Sequence, residues 1–230
     1  LREFADHLQI PVAHTVMGKG ALPDDHPLVL GMTGFWGTKF INDKTLGADW
    51  ILALGTRFSE ADCSSWEEAY TFRMPPSKLI HIDIDPAEIG RNYPVAIGAV
   101  ADLREALRAL NRVARKIAPK GVRRPELLAE MAANRKTFVA GNRKAMASDA
   151  WPMRPERILA DLRVAMPRDA ILCTDVGWNK NGMAQQYPIY TPGSVLTPGG
   201  FATMGFGSPA ALGAKVARPD KVVVALIGDG

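Results

Sequence analysis

The last residues of the sequence place one carboxylate between two glycines, directly after an apolar segment. Asp229 is flanked by Gly228 and Gly230 and follows the run from Lys221 to Ile227, which we predict to be a buried parallel strand. Ligands of open α/β sheets bind at the carboxyl ends of strands, where glycines let backbone amides approach without Cβ obstruction. One carboxylate with phosphate oxygens and water suits a hard cation such as Mg²⁺. A cation site and a plain turn are therefore the two readings of this tripeptide.

A glycine-rich segment, Pro198 to Ala214, precedes that strand. Its sequence, PGGFATMGFGSPAALGA, predicts a loop followed by a helix of small residues, which suits close backbone approach to a cofactor. Gly205, Gly207 and Ala210 also fit the Gly-x-Gly-x-x-Gly/Ala fingerprint of dinucleotide-binding enzymes. An NAD(P)-dependent dehydrogenase is therefore an alternative, although that fingerprint should follow a strand directly and a loop intervenes here.

These segments, together with TDVGWNKN at Thr174 to Asn181, resemble the diphosphate-binding domain of thiamine-diphosphate enzymes of the acetolactate-synthase-like family. The pattern Gly-Gly-x-x-x-Met-Gly-x-Gly-x-Pro-Ala-Ala-x-Gly-Ala and the later Gly-Asp-Gly carry the resemblance. It implies a 2-oxo-acid decarboxylase or carboligase that uses thiamine diphosphate and Mg²⁺, with Asp229 as a metal ligand. The cofactor-binding residues that it implies are Val176, Gly177, Trp178, Asn179, Ala202, Thr203, Met204, Gly228, Asp229 and Gly230.

The resemblance assigns these residues to different parts of the cofactor. The segment from Val176 to Asn179 would line the diphosphate, and Ala202 and Met204 would support the aminopyrimidine ring. The family usually has Gln-His where this chain has Trp178-Asn179, and Gly at position 202. These differences predict a relative that uses another substrate.

The first half of the sequence carries a second group of motifs. They are IPVAHTVMGKGALP at Ile10 to Pro23, DHPLVLGM at Asp25 to Met32, ALGTRF at Ala53 to Phe58 and IHIDIDPAEIG at Ile80 to Gly90. In this order and spacing they resemble the middle domain of the same family, a Rossmann-like sheet in which acetolactate synthases hold FAD. The FAD or nucleotide contacts that this implies are Thr15, Gly31, Gly55, Arg57 and Asp83.

The resemblance does not decide whether FAD is bound. Gly34 to Gly37 and Gly98 to Val100 depart from the family pattern, and some relatives bind a nucleotide here while others bind nothing. A non-catalytic nucleotide-binding module is therefore the second alternative.

Alternating apolar strands and amphipathic helices predict an α/β fold with parallel sheets. We predict strands at 12–15, 50–54, 78–84, 170–174, 194–197 and 221–227, and helices at 1–8, 101–117, 155–164, 181–186 and 208–217. We expect a Rossmann-like middle domain at 1–118, a basic helical linker at 119–153, and the first half of a second parallel α/β domain at 154–230.

The composition excludes several other classes. The sequence contains no run of about 18 apolar residues, so we expect no membrane span. Cys63 and Cys173 form neither a disulfide framework nor a metal cluster. We therefore expect a cytoplasmic protein. The net charge of +4 comes from basic residues at helical spacing without interleaved aromatics, which predicts a solvated helix face and no nucleic-acid partner. Those residues include Lys116, Lys120, Arg123, Arg124, Arg135, Lys136, Arg143 and Lys144.

We expect the chain to be a segment of a longer protein, because it begins inside a predicted helix and stops directly after an apolar strand. The resemblance implies that the activating glutamate precedes Leu1, in a domain that a partner subunit contributes, and that further Mg²⁺ ligands follow Gly230. We therefore expect no catalytic residue and no activity in this chain alone. The intact protein would be a homodimer or homotetramer that acts on a small 2-oxo acid.

Overall fold

A computed structural model of the chain describes residues 1–228. Strands and helices alternate along it, which confirms the predicted α/β class with parallel sheets. The helices are α1 (Arg2–Leu8), α2 (Lys39–Leu46), α3 (Leu103–Ile117), α4 (Pro125–Met146), α5 (Pro155–Ala165), α6 (Trp178–Gln186) and α7 (Gly207–Ala217). The strands are β1 (Val12–His14), β2 (Val29–Met32), β3 (Trp50–Leu54), β4 (Lys78–Asp83), β5 (Ile97–Val100), β6 (Ile171–Thr174), β7 (Val195–Leu196) and β8 (Val223–Leu226). Two 3₁₀ turns lie at Gly34–Trp36 and Glu60–Cys63.

The chain divides into two compact units. The first contains Leu1–Thr15 and Leu30–Leu128, and the second contains Val16–Val29 with the chain from Ala129 onward. The segment between β1 and β2 therefore belongs to the second unit, where Asp24 pairs with Ile189. The Asp24 N–H donates to the Ile189 carbonyl (2.7 Å), and the Ile189 N–H donates to Asp24 Oδ2 (2.6 Å).

The main sheet of the first unit is parallel, in the order β3-β4-β5. Its core contains Phe58, Phe72 and Tyr93, whose rings meet edge to face with centroids 5.2–6.0 Å apart. Cys63 is fully buried beside them, and burial raises the pKa of its thiol to about 12. A thiol with this pKa stays protonated at neutral pH, and Cys63 packs as a small apolar residue of this core.

The sheet of the second unit is also parallel, in the order β7-β6-β8. Strand β6 is central and buried from Leu172 onward, and α7 packs on β6 and β8. The run from Lys221 to Ile227 gives only the four-residue β8, which pairs with β6 alone among the described residues and is half-buried. The predicted parallel strand is therefore confirmed, and within residues 1–228 it is half-buried and not fully buried.

Local sequence explains where α3 and α5 begin. The Asp102 carboxylate accepts the N–H groups of Arg104 (2.9 Å) and Glu105 (3.2 Å) and caps α3, and Pro155 lies in the first turn of α5. The predicted basic face is exposed on and around α3 and α4, apart from Arg135, which donates to the carbonyls of His26 and Val29. None of the helices in residues 1–228 combines the length and apolarity that crossing a membrane requires.

Candidate functional site

The carboxyl ends of β6 and β7 are joined by side chains. Thr174 Oγ1 at the end of β6 donates to Thr197 Oγ1, just after β7, at 2.8 Å, and both residues are buried. The Lys180 ammonium donates to the Pro198 carbonyl at 2.8 Å. These bonds fix the start of the glycine-rich loop beside the end of the central strand.

Asp175 fixes the other end of that loop. Its buried carboxylate accepts the N–H groups of Gly207 (2.8 Å), Val176 (2.8 Å) and Gly205 (3.1 Å). These three hydrogen bonds, of which the one from Gly207 is the strongest influence, lower the pKa of the Asp175 carboxyl. The residue is therefore an anion at neutral pH that connects the chain after β6 to the start of α7.

Asp175 was not among the residues predicted for the site, although it lies in the TDVG motif. The available signal was an acidic residue directly after a buried strand, where a carboxylate needs strong partners. Its main partners lie about 30 residues further along the chain, so sequence position alone could not identify them.

The start of α6 is open to an anion. Gly177 precedes the helix with φ 100° and ψ −155°, which side chains disfavour, and nothing lies within 4 Å of the position that a Cβ would take. The first turn contains no acidic residue, and no side chain caps it among residues 1–228. Backbone N–H groups at such a helix start bind phosphate groups. At α7, by contrast, Asp175 already occupies the N-terminus, so the α6 end is the better anion site.

Asn179 carries the second feature that fits a polar ligand. Its side-chain N–H donates to the Val176 carbonyl (2.8 Å), while its Oδ1 is buried and has no hydrogen-bond partner in the described part of the chain. Its Nδ2 lies 3.7 Å from the position that a Cβ on Gly228 would take. The structure thus brings Val176, Gly177, Asn179 and Gly228 together at one sheet edge.

Trp178 contributes its backbone to this edge, while its side chain lies along α6. A Cβ on Gly182 would fall only 2.4–2.6 Å from the Trp178 six-membered ring, so the indole rests directly on the Gly182 Cα. The ring remains 39% exposed. The sequence difference from the family's Gln-His is therefore matched by a glycine one turn further along the helix.

The predicted ring-supporting residues lie in the exposed part of the glycine-rich loop. Phe201 is fully exposed, Met204 is 68% exposed and Thr203 is exposed. Ala202 has φ 48°, a left-handed conformation that explains why glycine is the usual residue there. The loop is thus anchored at both ends and presents 201–204 to the surroundings.

The predicted metal ligand is Asp229. Asp229 and Gly230 lie outside the described residues, and Gly228 is the last residue before them. Residues 1–228 contain no group of three or more His, Cys, Asp or Glu residues that could hold a metal ion.

Three of the predicted nucleotide contacts lie at the carboxyl edge of the β3-β4-β5 sheet. Gly55 (φ 63°) follows β3 and donates to the Ile82 carbonyl at 2.9 Å. Arg57 is exposed two residues later, and the Asn92 side chain donates to its carbonyl at 2.9 Å. Asp83 is buried at the end of β4 and accepts the Asp85 N–H at 2.9 Å. Parallel strands put these three at one edge.

The other two predicted contacts belong to the separate β1-β2 sheet. Thr15 follows β1, and its carbonyl is 2.8 Å from His14 Nδ1. Gly31 lies within β2 with φ 123°, and a Cβ there would come within 2.7 Å of Ile41 Cδ1. The glycine at position 31 is thus explained by packing against α2.

Comparison with known proteins gives two family matches in chain order. Residues 1–110 match the central domain of thiamine pyrophosphate enzymes, and residues 175–230 match their C-terminal TPP binding domain. The chain belongs to the thiamine pyrophosphate enzymes. The second match begins at Asp175, the residue whose carboxylate joins the two loops.

Two relatives match this chain over its whole length. A probable acetolactate synthase large subunit of Methanocaldococcus jannaschii is 39% identical, and the matched region covers 100% of this chain and 38% of that protein. Acetolactate synthase isozyme 1 large subunit of Escherichia coli is 34% identical over 100% of this chain and 39% of its own length. The chain thus spans well under half the length of these relatives.

Neither alternative from the sequence is supported. The fingerprint residues Gly205 and Gly207 direct their N–H groups at the Asp175 carboxylate, so these donors are not available to a dinucleotide pyrophosphate. The matched family is one of thiamine enzymes, which leaves the dehydrogenase and the non-catalytic nucleotide module without support.

Proposed function

We propose that this chain is part of a longer thiamine-diphosphate- and Mg²⁺-dependent 2-oxo-acid decarboxylase or carboligase, called the intact protein below. The observation that carries the proposal is the joined pair of loops at the carboxyl edge of the β6 sheet, in a chain that matches two consecutive domains of thiamine enzymes. The relatives are named acetolactate synthases, which supports a small 2-oxo acid as substrate.

The described residues fit the diphosphate end of the cofactor. The first turn of α6 offers backbone N–H groups, and Gly177 leaves the approach to them free of a Cβ. The unpartnered Asn179 Oδ1 can accept a hydrogen bond or contact a cation. In this proposal Asp229 ligates Mg²⁺, with Gly228 and Gly230 keeping that loop narrow.

The middle of the glycine-rich loop is the proposed support for the ring system. Thiamine diphosphate supplies an electron sink for breaking the bond next to the 2-oxo group. Ala202, Thr203 and Met204 would contact its aminopyrimidine, held in place by the two anchors of the loop. Removal of the Asp175 carboxylate, or of another side chain that anchors the loop, should therefore lower the affinity for the cofactor before it slows the chemical step.

We also retain the domain division as a proposal, with a middle domain at 1–118, a basic linker at 119–153 that includes most of α4, and the thiamine domain from 154. In the middle domain, FAD or another nucleotide would contact Gly55, Arg57 and Asp83. Thr15 and Gly31 are the other two proposed contacts. The guanidinium suits a diphosphate and the carboxylate suits ribose hydroxyls. Flavin absorbance in the purified intact protein tests this part directly.

The proposed assembly is a homodimer or homotetramer in a reducing compartment such as the cytoplasm. Both cysteines are free and buried, which agrees with a reducing environment. We propose that residues outside this chain supply the activating glutamate and the other Mg²⁺ ligands.

Turnover by the intact protein tests the proposed function. We expect CO₂ release from at least one of pyruvate, glyoxylate and an aromatic 2-oxo acid, dependent on added thiamine diphosphate and Mg²⁺. The 230-residue chain alone should release none. Release that is unaffected by omission of the cofactor would contradict the proposal.

A further inference from the structure

One buried carboxylate collects three backbone donors from two distant segments. The Asp175 side chain is only 5% exposed in the folded chain and binds the N–H of Val176 in the first loop, together with those of Gly205 and Gly207 in the second. An ionised acceptor makes shorter and stronger hydrogen bonds than a neutral one, and the bonds from Gly205 and Gly207 connect the second loop to the first.

The glycines at the other end make this connection possible. A Cβ on Gly207 would lie 3.2 Å from Asp175 Oδ2 and 2.6 Å from Ile227 Cγ2, so a side chain there would push the segments apart. Gly205 has φ 82°, which turns its N–H toward the same carboxylate at a conformation that side chains disfavour. Two of the motif's glycines thus serve the contact with Asp175.

The carboxylate also replaces the missing cap of α7. Phe206 is the residue before this eleven-residue helix and offers no capping side chain, so Asp175 accepts the Gly207 N–H from across the sheet edge. A negative charge at that position interacts favourably with the helix dipole. Thr174 and Lys180 hold the opposite end of the loop, so its geometry is set before any ligand arrives.

We propose that Asp175 is a positioning residue for thiamine diphosphate. Its carboxylate holds the diphosphate-binding loop at 175–179 and the ring-supporting loop at 198–207 at the separation that the cofactor requires. This role rests on the proposed function and adds to it a residue that contacts the cofactor loops and not the cofactor itself. Preorganised loops bind without an ordering cost, so the contribution appears as affinity.

The test compares three variants of the intact protein by calorimetric titration of thiamine diphosphate in MgCl₂. Asp175→Asn keeps one acceptor oxygen but turns a donor toward an N–H, and Asp175→Ala removes all three bonds. Asp169→Asn is the matched control, because this carboxylate precedes the opposite end of β6 and pairs with Lys221. We expect Kd to rise about 10- to 100-fold in the Asp175 variants, more for Ala than for Asn, as for loss of other outer-shell partners. Asp169→Asn should leave Kd unchanged.

Two further readouts separate positioning from general stability. Turnover at saturating cofactor should stay near the wild-type rate in Asp175→Asn, while the half-saturating cofactor concentration rises. In the wild-type protein without cofactor, the Gly205 amide should be protected from hydrogen exchange, because the Asp175 carboxylate is its acceptor. This last measurement needs no variant and therefore holds even if the variants unfold.

The outcomes distinguish the two levels of the proposal. Wild-type protein that does not bind thiamine diphosphate overturns the proposed function and the positioning role together. Wild-type binding with an unchanged Kd in both Asp175 variants overturns the positioning role alone. Free exchange of the Gly205 amide in the wild-type protein also overturns it.

Discussion

The position of the Trp178 side chain depends on the absence of a side chain at Gly182. The Trp178 ring rests on the Gly182 Cα, at a distance that leaves no room for a methyl group. Glycine ordinarily weakens a helix by about 1 kcal/mol relative to alanine, so its presence in α6 is explained by the tryptophan. Trp178 stands where the resemblance leads us to expect a polar residue, and the contact with Gly182 holds its indole along α6.

Gly182→Ala should therefore destabilise the intact protein, against the trend of helix propensity. We expect a loss of about 1–3 kcal/mol in the free energy of unfolding, because the new methyl group overpacks against the indole. Urea denaturation measures this. In the Trp178→Ala background the same substitution should be neutral or stabilising. Equal losses in both backgrounds would show that the ring does not rest on Gly182.

At the residue level, the sequence predicted that the first loop follows a strand, and it gave no indication of the side chain that connects this loop to the second. The motif residues Val176 to Asn179 lie at the predicted edge, because a strand followed by glycine fixes their position locally. Asp175 was missed because its acceptor role depends on Gly205 and Gly207, which tertiary packing brings to it. Trp178 was expected to face the diphosphate, and its contact with Gly182 could not be inferred without helix geometry.

Among the elements, the sequence predicted those with long apolar or amphipathic runs. Strand β3 appears at the predicted residues, as do α1, α3 and α5 within a few residues. Helix α2, KFINDKTL, was missed because it buries only Ile41, and β5 was missed because its four residues include a glycine. Helix α6 begins at Trp178, three residues earlier than predicted, since the glycine before it gives no sequence signal for the start of a helix.

In the first unit, the two 3₁₀ turns contact each other at Gly34. Gly34 has φ 84°, and a Cβ there would lie 2.0 Å from the Ala61 carbonyl oxygen. Gly34→Ala should cost about 3 kcal/mol or more, from backbone strain and the clash together. Gly141→Ala is the control, because nothing lies within 4 Å of its Cβ position in α4. That variant should be neutral or more stable by up to about 1 kcal/mol.

Thermal or urea unfolding of both glycine variants checks this contrast. Equal behaviour of Gly34→Ala and Gly141→Ala would mean that the two turns do not pack as described. Both substitutions add the same methyl group, so a difference between them reports the strain and the clash at Gly34 together, beyond the helix propensity gained at Gly141.

The connection between the two loops should weaken in acid. Hydrogen bonds from Gly207, Val176 and Gly205 hold the pKa of the Asp175 carboxyl below its ordinary range. A lowered folded-state pKa means that the stabilisation is fully present above the unfolded pKa, near pH 4, and is lost as the pH falls through the folded value. The unfolding free energy of the wild-type protein should therefore fall below pH 4, with a smaller slope in Asp175→Asn. Identical slopes in the two proteins would contradict the assigned hydrogen bonds.

At the scale of the whole molecule, each unit presents a parallel sheet whose carboxyl edge carries glycines and polar residues. In the first unit these are Gly55, Arg57 and Asp83, and in the second they are Gly177 and Asn179. Order of motifs along the chain was sufficient to predict the family, because the two domain matches follow in the same order. The segment Val16–Val29 belongs to the second unit, an assignment that its pairing with Ile189 explains and that no local pattern indicated.

Much of each relative lies outside the region that matches this chain. The matched proteins are more than twice as long as this chain, so the activity stated above is a proposal about the intact protein. The residues that carry the proposal nonetheless belong to this chain: they lie at the carboxyl edge of the second unit's sheet, and Asp229 follows Gly228 in the sequence.

The most direct test is the affinity of the intact protein for thiamine diphosphate, measured by calorimetry with and without Mg²⁺, in the wild type and in Asp229→Ala. We predict tight binding that requires Mg²⁺ in the wild type, and loss of the Mg²⁺-dependent part in the variant. Binding that is equally strong in Asp229→Ala, or a wild-type protein that does not bind the cofactor at all, would contradict the account.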